Sequence, residues 1–600
     1  MSHSRLSGFR YTTVVVLLMA CFGALFFRLY QLHVIEQDKA VRIVASVREK
    51  FEVLNARRGN VVDRRGNLLA TTRAMMELGV DPEEVREDDR ARLREMASIL
   101  QVDEGFLIER FERGFFTVQG PEGPEQRAVR WRRLAESIDD DTYARVMALG
   151  IRGVYGNRKF ERIYPNGQHA AHILGFINRE NTPVQGVEQY MDYYLRGQSG
   201  WRESEKDGRR REMAQFRRRE ISPTDGLNVE ISIDLVIQNL IEREIDRIVA
   251  EYSPAGVAII VSDPSTGFIL GMGNYPSFDP NTFWRFPIDH MRNRSITDVF
   301  EPGSTFKIVP TAAALNEGLI RPEDRFDCNV TTLDYRGRSL RLPGDHRPHG
   351  VLTVSEIVQK SSNPGAVHFG VLLGADRLYD YSRAFGFGER TGFELDQESV
   401  GILHPVRRWD GLTISRLPIG HAVSATPLQV HIAMAAIANR GIVMEPRIIT
   451  RVFDSNNETV VHFNPRPKHR AVSSLTAERM TDMLVRVVGR EGTARRAELP
   501  GFNVAGKTGT TQKIIDGRYS SRHHVASFSG FFPAERPRVV ITVVVDDANL
   551  TGTSYGGVVA APAFRNLAEG LIHHLGIQPP TDNRNLIAGK GDHFDWIRQP

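Results

Sequence analysis

The sequence predicts an α/β fold in which a central antiparallel sheet, flanked by helices, is assembled from both ends of one long segment. Three observations carry this. VAIIVSDPSTGFILGMGNYP (Val257 to Pro276) reads as two apolar strands joined by the turn Asp263-Pro264-Ser265-Thr266-Gly267. Long helical patterns follow, such as TPLQVHIAMAAIANRG (Thr426 to Gly441). Near the other end, HVASFSGFFP and RVVITVVVDD supply further strands.

At 600 residues the chain exceeds one ordinary core, so two or more domains are expected. With 77 basic against 73 acidic residues the net charge is only +4, and nothing in that balance points to nucleic acid as a partner. Cys21 lies in an apolar run and Cys328 in a distant polar stretch, so neither a disulfide nor a cysteine metal framework is expected. After Arg5 and Arg10, the seventeen residues Tyr11 to Phe27 carry no charge, and Leu29 to Ile35 extend the run past Arg28, which can snorkel. A cleaved signal peptide is the competing reading, because small residues cluster around Ala20 to Ala24. The length of the run and the lack of an A-x-A-like site with a polar sequel favour a retained anchor over 11–35. By the positive-inside rule, residues 1–10 are then cytoplasmic and the rest of the chain lies outside the membrane.

Residues 36–225 read as a non-catalytic α+β domain. RRGNVVDRRGNLLATT (Arg57 to Thr72) breaks into short alternating runs at Gly59 and Gly66, and Asp81 to Leu100 and Arg127 to Leu149 show helical spacing. GRRREMAQFRRRE (Gly208 to Glu220) holds six arginines. It reads first as a solvated hairpin and second as a segment drawn to an anionic membrane surface or wall polymer. At Leu227 the composition changes: NVEISIDLVIQNLIEREI is a strand leading into an amphipathic helix, and it opens a second domain over 226–574. The polar tail 575–600 is expected to be flexible.

Within that domain, EPGSTFK sets Ser304 and Lys307 three residues apart behind a Pro-Gly break, so a helix presents both on one face. A serine hydroxyl needs a base, and a lysine serves if burial or a second cation lowers its pKa. A helix N-terminus also offers N–H groups to a developing oxyanion. S-x-x-K alone is weak evidence. A second element is KSSNPGAV, where Ser361 and Asn363 could relay a proton and orient the lysine and substrate. Ser455 and Asn457 also fit S-x-N, but FDSNNETVV reads as a turn between strands. The third is GKTGTTQ: on an edge strand, Lys507, Thr508 and Gly509 would flank a backbone able to pair with an extended peptide, Gly509 leaving room for its approach. Lys507 would supply the second charge that depresses Lys307, and Thr510 would bind a substrate carboxylate. His346 and His349 in GDHRPHG could form a metal pair, but the structural reading is preferred.

The order S-x-x-K, S-x-N, K-T-G is the set found in penicillin-binding proteins and class A β-lactamases. RGNVVDRRGNLLA, RIYPNGQHAAHILGF, GVEQYMDYYLRGQSG, DPSTGFILGMGNYPSFDPN, RNRSITDVFEPGSTFK and ATPLQVHIAMAAIANRG extend the resemblance over roughly residues 28 to 570. Together they resemble class B, monofunctional penicillin-binding proteins, and the short start and compact first domain look more like the division (FtsI) type than the elongation type. The resemblance implies a serine β-lactamase-like transpeptidase fold on a dimerisation-type pedestal, and a D,D-transpeptidase that is a β-lactam target. Carried over, Ser304 attacks the bond between two terminal D-alanines of a stem peptide and an amine from a neighbouring stem takes the acyl group. Lys307 is then the general base, Ser361 a proton relay, Asn363 an orienting amide, Lys507 an electrostatic support and Thr510 a carboxylate anchor. The N–H groups of Ser304 and Thr510 form the oxyanion hole. No metal or organic cofactor is implied. The implied partners are stem peptides, β-lactams, a SEDS-family glycan polymerase and other membrane proteins of the division machinery.

One departure stands out. Where the family has G-x-G before T-P-L-Q, this chain reads Gly420-His421-Ala422, which puts the geometry of that loop in question. A β-lactamase would need a deacylating base, and no E-x-x-L-N element is found. A non-catalytic scaffold or β-lactam sensor is the rival from another class, and the intact motif residues argue against it.

Overall fold

The computed structural model describes residues 3–37, 49–120, 123–206, 212–213, 217, 219–395, 397–549 and 555–579. The polar tail from 580, and most of the arginines of the Gly208 to Glu220 stretch, lie outside the described residues. The described chain forms two compact units, one of residues up to Arg57 with Gly197–Gly226 and one of Arg58–Arg196 with the chain from Leu227 onward.

In the first unit the helix His3–Tyr30 continues into a π-helical turn, Gln31–Ile35. Gly8–Ile35, 28 residues with none buried, is long and apolar enough to cross a membrane. Strands Glu49–Leu54 and Arg219–Ile221 pair antiparallel with Gly200–Lys206, which aligns Val53, Trp201 and Ile221. Glu212–Met213 pairs with the same strand, so the described parts of the Arg-rich stretch fold back as a hairpin would.

In the second unit a seven-stranded sheet runs Thr459–His462, Ile449–Phe453, Asn228–Ile231, Val61–Val62, Leu68–Val80, Arg132–Ile138, with Val154–Ile163 also on Leu68–Val80. Gly66, at φ +83°, makes the turn between the second pair of runs expected from RRGNVVDRRGN. The helix expected over Arg127 to Leu149 is not formed as one piece. Arg132–Ile138 is a strand, and the helix starts only at Asp140–Ala148, where the Asp139 carboxylate accepts from Thr142 N at 2.7 Å. Pairing with Leu68–Val80 overrides the helical spacing. Of Asp81 to Leu100, only Leu93–Leu100 is α-helical, after a 3-10 turn.

Glu188 is fully buried here and is held by Arg58 Nε at 2.7 Å and Arg162 Nε at 2.7 Å. Removing the acid leaves Arg162, 5% exposed, without a carboxylate, while Arg58 keeps Asp192 at 2.5 Å. Glu188→Ala is therefore expected to destabilise this unit by about 3–5 kcal/mol. A lowered urea midpoint at unchanged slope is the check, and an unchanged midpoint would show that the triad contributes nothing.

The catalytic sheet has five strands: β1 (Gly256–Ser262), β2 (Ile269–Tyr275), β3 (Ala505–Ile515), β4 (Arg518–Phe532) and β5 (Val539–Asp546). Their order is β2-β1-β5-β4-β3 with every neighbour antiparallel, so both ends of the segment do build one sheet and β3 is an edge. The β1–β2 turn is set by Asp263, whose carboxylate accepts from Ser265 N at 2.8 Å, and by Gly267 at φ +78°. β1 is buried throughout because helices cover both faces. On one side Leu235–Tyr252, capped by Asp234, packs so closely that a Cβ on Gly271 or Gly273 would lie 2.6 Å from the Ile241 side chain. On the same side Phe528 meets Phe564 of Gly556–Leu575 edge-on at 4.9 Å. Against the other face lies Pro427–Ala438, whose His431 hydrogen-bonds Ser262 Oγ at 2.6 Å and Thr542 Oγ1 at 2.9 Å.

Candidate active site

Ser304 and Lys307 occupy a 3-10 turn, Gly303–Lys307, that runs into helix α1 (Ile308–Asn316). An α-helical turn is expected from the sequence. The tighter turn, three residues per revolution, aligns positions i and i+3 still more directly. Gly303 sits at φ +55° with its N–H donating to Gly420 O at 3.1 Å, and a Cβ there would lie 2.5 Å from Thr511 Oγ1, so glycine is required.

Ser361 joins helices α2 (Val354–Lys360) and α3 (Asn363–Leu373) in a left-handed conformation, φ +59°. Such strain in a non-glycine residue persists only where neighbours over-determine it. Here Asp345 does so: its carboxylate accepts from Ser362 Oγ at 2.7 Å and from Asn363 N at 2.6 Å, while Gly344 O accepts from Asn363 Nδ2 at 2.9 Å.

This strained connection meets both lysines. Lys307 Nζ donates to Ser361 O at 2.5 Å, to Asn363 Oδ1 at 2.7 Å and to Ser361 Oγ at 3.2 Å. Lys507 Nζ, from β3, reaches the same Ser361 Oγ at 2.8 Å. Both lysines are essentially buried. Burial lowers Lys307 to about 7, against the opposing pull of Asp345. Of the two causes the sequence reading offers, burial and the charge of Lys507, burial leads, and Lys507 is itself driven well below the usual lysine range by burial and by repulsion from Lys307. Two ammonium groups bridged by one hydroxyl in a dry site disfavour double protonation, which leaves the pair able to accept a proton near neutrality.

The edge strand completes the site. Thr508 Oγ1 hydrogen-bonds Thr493 Oγ1 at 2.9 Å, and Thr510 Oγ1 accepts from Gly556 N at 3.0 Å. The sequence reading reserves the space beside Gly509 for substrate. In the structure a Cβ there would lie 2.3 Å from Ser527 Oγ and 2.9 Å from Pro302 O, so the glycine lets the strand close onto the Ser304 loop. Ser304, Ser361, Asn363, Thr508 and Thr510 open onto one cleft of ≈ 680 Å³. Ser455 lies elsewhere, in the turn between Ile449–Phe453 and Thr459–His462.

Ala422 resolves the G-x-G departure. It takes the left-handed conformation a glycine would, φ +61°, and its N–H donates to Glu301 Oε1 at 3.1 Å. The loop keeps its shape under local strain. His346 and His349 line the cleft, His346 edge-on to Tyr555 at 5.8 Å, and among the described residues no group of three or more His, Cys, Asp or Glu could hold a metal. Sequence reasoning missed Asp345, Thr493, Arg347, Arg495 and Arg496. Thr493, Arg495 and Arg496 stand shortly before the K-T-G strand, and Asp345 and Arg347 within GDHRPHG, but no motif marks any of them.

A family model described as the penicillin binding protein transpeptidase domain matches residues 257–569, more than half of the chain, and one described as the penicillin-binding protein dimerisation domain matches 53–231. The chain belongs to the penicillin-binding protein transpeptidase family. It is 34% identical to Stage V sporulation protein D of Bacillus subtilis over 90% of this chain and 80% of that one. It is 29% identical to the peptidoglycan D,D-transpeptidase FtsI of Escherichia coli over 98% and 96%. Among solved structures it resembles penicillin binding protein 3 of Mycobacterium tuberculosis complexed with aztreonam, with a TM-score of 0.65 and 26% identity over 88% of this chain and 98% of that one. This penicillin-binding protein is thus a serine D-Ala-D-Ala transpeptidase of the class B type, acting on peptidoglycan and binding β-lactams. The one N-terminal helix long and apolar enough to span a membrane among the described residues fits a single-pass membrane protein.

Proposed function

We propose that this penicillin-binding protein is the division-type transpeptidase, cross-linking stem peptides at the septum, with Ser304 as nucleophile. The reading of the chemistry rests on one observation above the others, the Ser361 hydroxyl held between two buried amines in the cleft that Ser304 lines. Lys307 takes the Ser304 proton as Oγ bonds to the carbonyl carbon of the penultimate D-alanine. The N–H groups of Ser304 and Thr510 hold the oxyanion, and Thr510 with Thr508 anchors the terminal carboxylate. The C–N bond then breaks, and the departing D-alanine amine gains a proton through Ser361, which Lys307 and Lys507 resupply. In the second half an acceptor amine attacks the ester, Lys307 takes its proton and passes it to Ser304 Oγ as the C–O bond breaks, which restores both residues. Asn363 keeps Lys307 aimed.

Residues 1–10 are assigned to the cytoplasm and 11–35 to the membrane, with a pedestal over 36–225 and the transpeptidase domain over 226–574. A SEDS-family polymerase is the proposed partner of the anchor and pedestal. The match to the E. coli FtsI over 98% of this chain and 96% of that one supports the division role, and the 34% identity to the B. subtilis sporulation protein keeps sporulation as the alternative. A fluorescent fusion gathering at mid-cell is the expected result, and an even lateral-wall signal would assign the protein to elongation.

The lifetime of the penicillin adduct tests the chemistry. Hydrolysis of the ester needs a base holding water on the acyl carbon. Asp345 is the one carboxylate lining the cleft among the described residues, and it is occupied by Ser362 and Asn363 N. Deacylation half-times of minutes to hours are therefore expected, against a typical enzyme turnover of roughly 1 to 1000 per second. Mass spectrometry after brief exposure to drug and its removal follows the adduct. Rapid return to the unmodified mass with hydrolysed drug in solution would revive the β-lactamase reading.

A further inference from the structure

The cleft carries more positive charge than the reaction uses. Besides the buried lysine pair beneath Ser361, it is lined by Lys360, Arg347, Arg495 and Arg496, against the single carboxylate of Asp345. Two other arginines of this protein are held by acids, Arg447 by Glu394 at 2.8 Å and Arg202 by Glu220 at 2.9 Å. Arg347, Arg495 and Arg496 are exposed, and among the described residues their side chains have neither an ion pair nor a hydrogen bond. They are nonetheless firmly based. Arg495 and Arg496 open a 3-10 turn fixed by the buried Ala494 and Ala497, directly after Thr493, which hydrogen-bonds the K-T-G strand. Arg347 follows Asp345, the residue that holds the Ser361 connection. Like charges gathered in a concave site repel one another and focus a positive potential that an anion relieves.

We propose that Arg347, Arg495 and Arg496 form a carboxylate-binding rim that selects donor stem peptides whose upstream carboxylates are free over stems in which those groups are amidated. The inference rests on the transpeptidase reading and deepens it by naming the substrate class. The terminal carboxylate of a stem is a single charge already assigned to Thr508 and Thr510. Guanidinium groups beyond it match planar carboxylates in two-point geometry, and an acidic stem residue supplies these one or more positions before the D-alanines. An amide offers the same shape without the charge. Amidation thus removes the attraction while leaving the fit, so chemistry at Ser304 remains possible but less frequent.

The test uses the full chain in detergent, one amine-bearing acceptor stem at fixed concentration, and two synthetic donors ending in D-Ala-D-Ala, identical except that the upstream carboxylates are free in one and amidated in the other. The readout is the ratio of their kcat/KM values for D-alanine release, in which a general loss of activity cancels. Wild type is expected to prefer the free acid about 10-fold, three exposed charge contacts of modest strength acting together, and to lose much of that preference in high salt. R495Q/R496Q is expected to bring the ratio to within about 2-fold through a raised KM for the free acid, while R495K/R496K retains part of it. A wild type without preference, or a glutamine variant that keeps it, overturns the rim. A wild type that releases D-alanine from neither donor and does not label with penicillin overturns the transpeptidase reading, and the rim with it.

Discussion

Ser304→Ala is expected to abolish covalent labelling by a fluorescent penicillin, whereas Ser455→Ala leaves labelling at the wild-type level. The two serines separate the chemistry from the motif. Each belongs to a pattern that, on spacing alone, could mark a penicillin-reactive element. Ser304 opens onto the cleft beside Ser361, Asn363, Thr508 and Thr510. Ser455 sits in a turn where Asp454 accepts from Asn456 N at 2.9 Å and Glu458 N at 2.8 Å, and where Asn457 adopts φ +66°. Without the Ser304 hydroxyl no ester can form, so the loss is complete and not graded. Labelling that survives Ser304→Ala, or disappears with Ser455→Ala, would refute the assignment of the nucleophile.

The second large effect concerns the base. Lys307 must be neutral to take the Ser304 proton, and burial sets it at about 7. Protonation therefore opposes catalysis as pH falls. The acylation rate constant is expected to be level above about pH 8 and to fall roughly tenfold per unit below about pH 6. Lys307→Arg keeps the charge but cannot give up its proton near neutrality, and its acylation rate is expected to drop by about 10²–10⁴. Stopped-flow acylation across the pH range measures both. A rate independent of pH between 5 and 8 in wild type, or an arginine variant of normal rate, would show that another group is the base.

The sheet and the three motifs were legible because each is a local pattern. The β1–β2 hairpin announces itself in Asp263 to Gly267, and the strand context of Lys507 in the apolar run that follows it. What escaped depends on packing between distant segments. Asp345 lies in irregular chain well before Ser361, and nothing in its neighbourhood marks it as the residue that holds the strained connection. Which of the two possible causes depresses Lys307 was not legible either, since burial belongs to the folded site and not to the spacing. Gly509 misled because a glycine beside a substrate strand and a glycine beside a packed carbonyl look identical in sequence. Arg132–Ile138 has helical spacing, but its place beside Leu68–Val80 decides its conformation. Ala422 shows the converse case, in which backbone conformation outlasts the residue type that ordinarily supports it.

The central claim is that one serine, activated by a buried lysine pair, transfers a stem peptide to an amine in preference to water. Its most direct test is to incubate the full chain in detergent with a donor stem ending in D-Ala-D-Ala and an amine-bearing acceptor stem, and to read the products by mass spectrometry. The expected result is one free D-alanine per cross-linked dimer, with little hydrolysed donor, and no product of either kind from Ser304→Ala. Hydrolysed donor as the dominant product, or dimer formed by the Ser304→Ala chain, would contradict it.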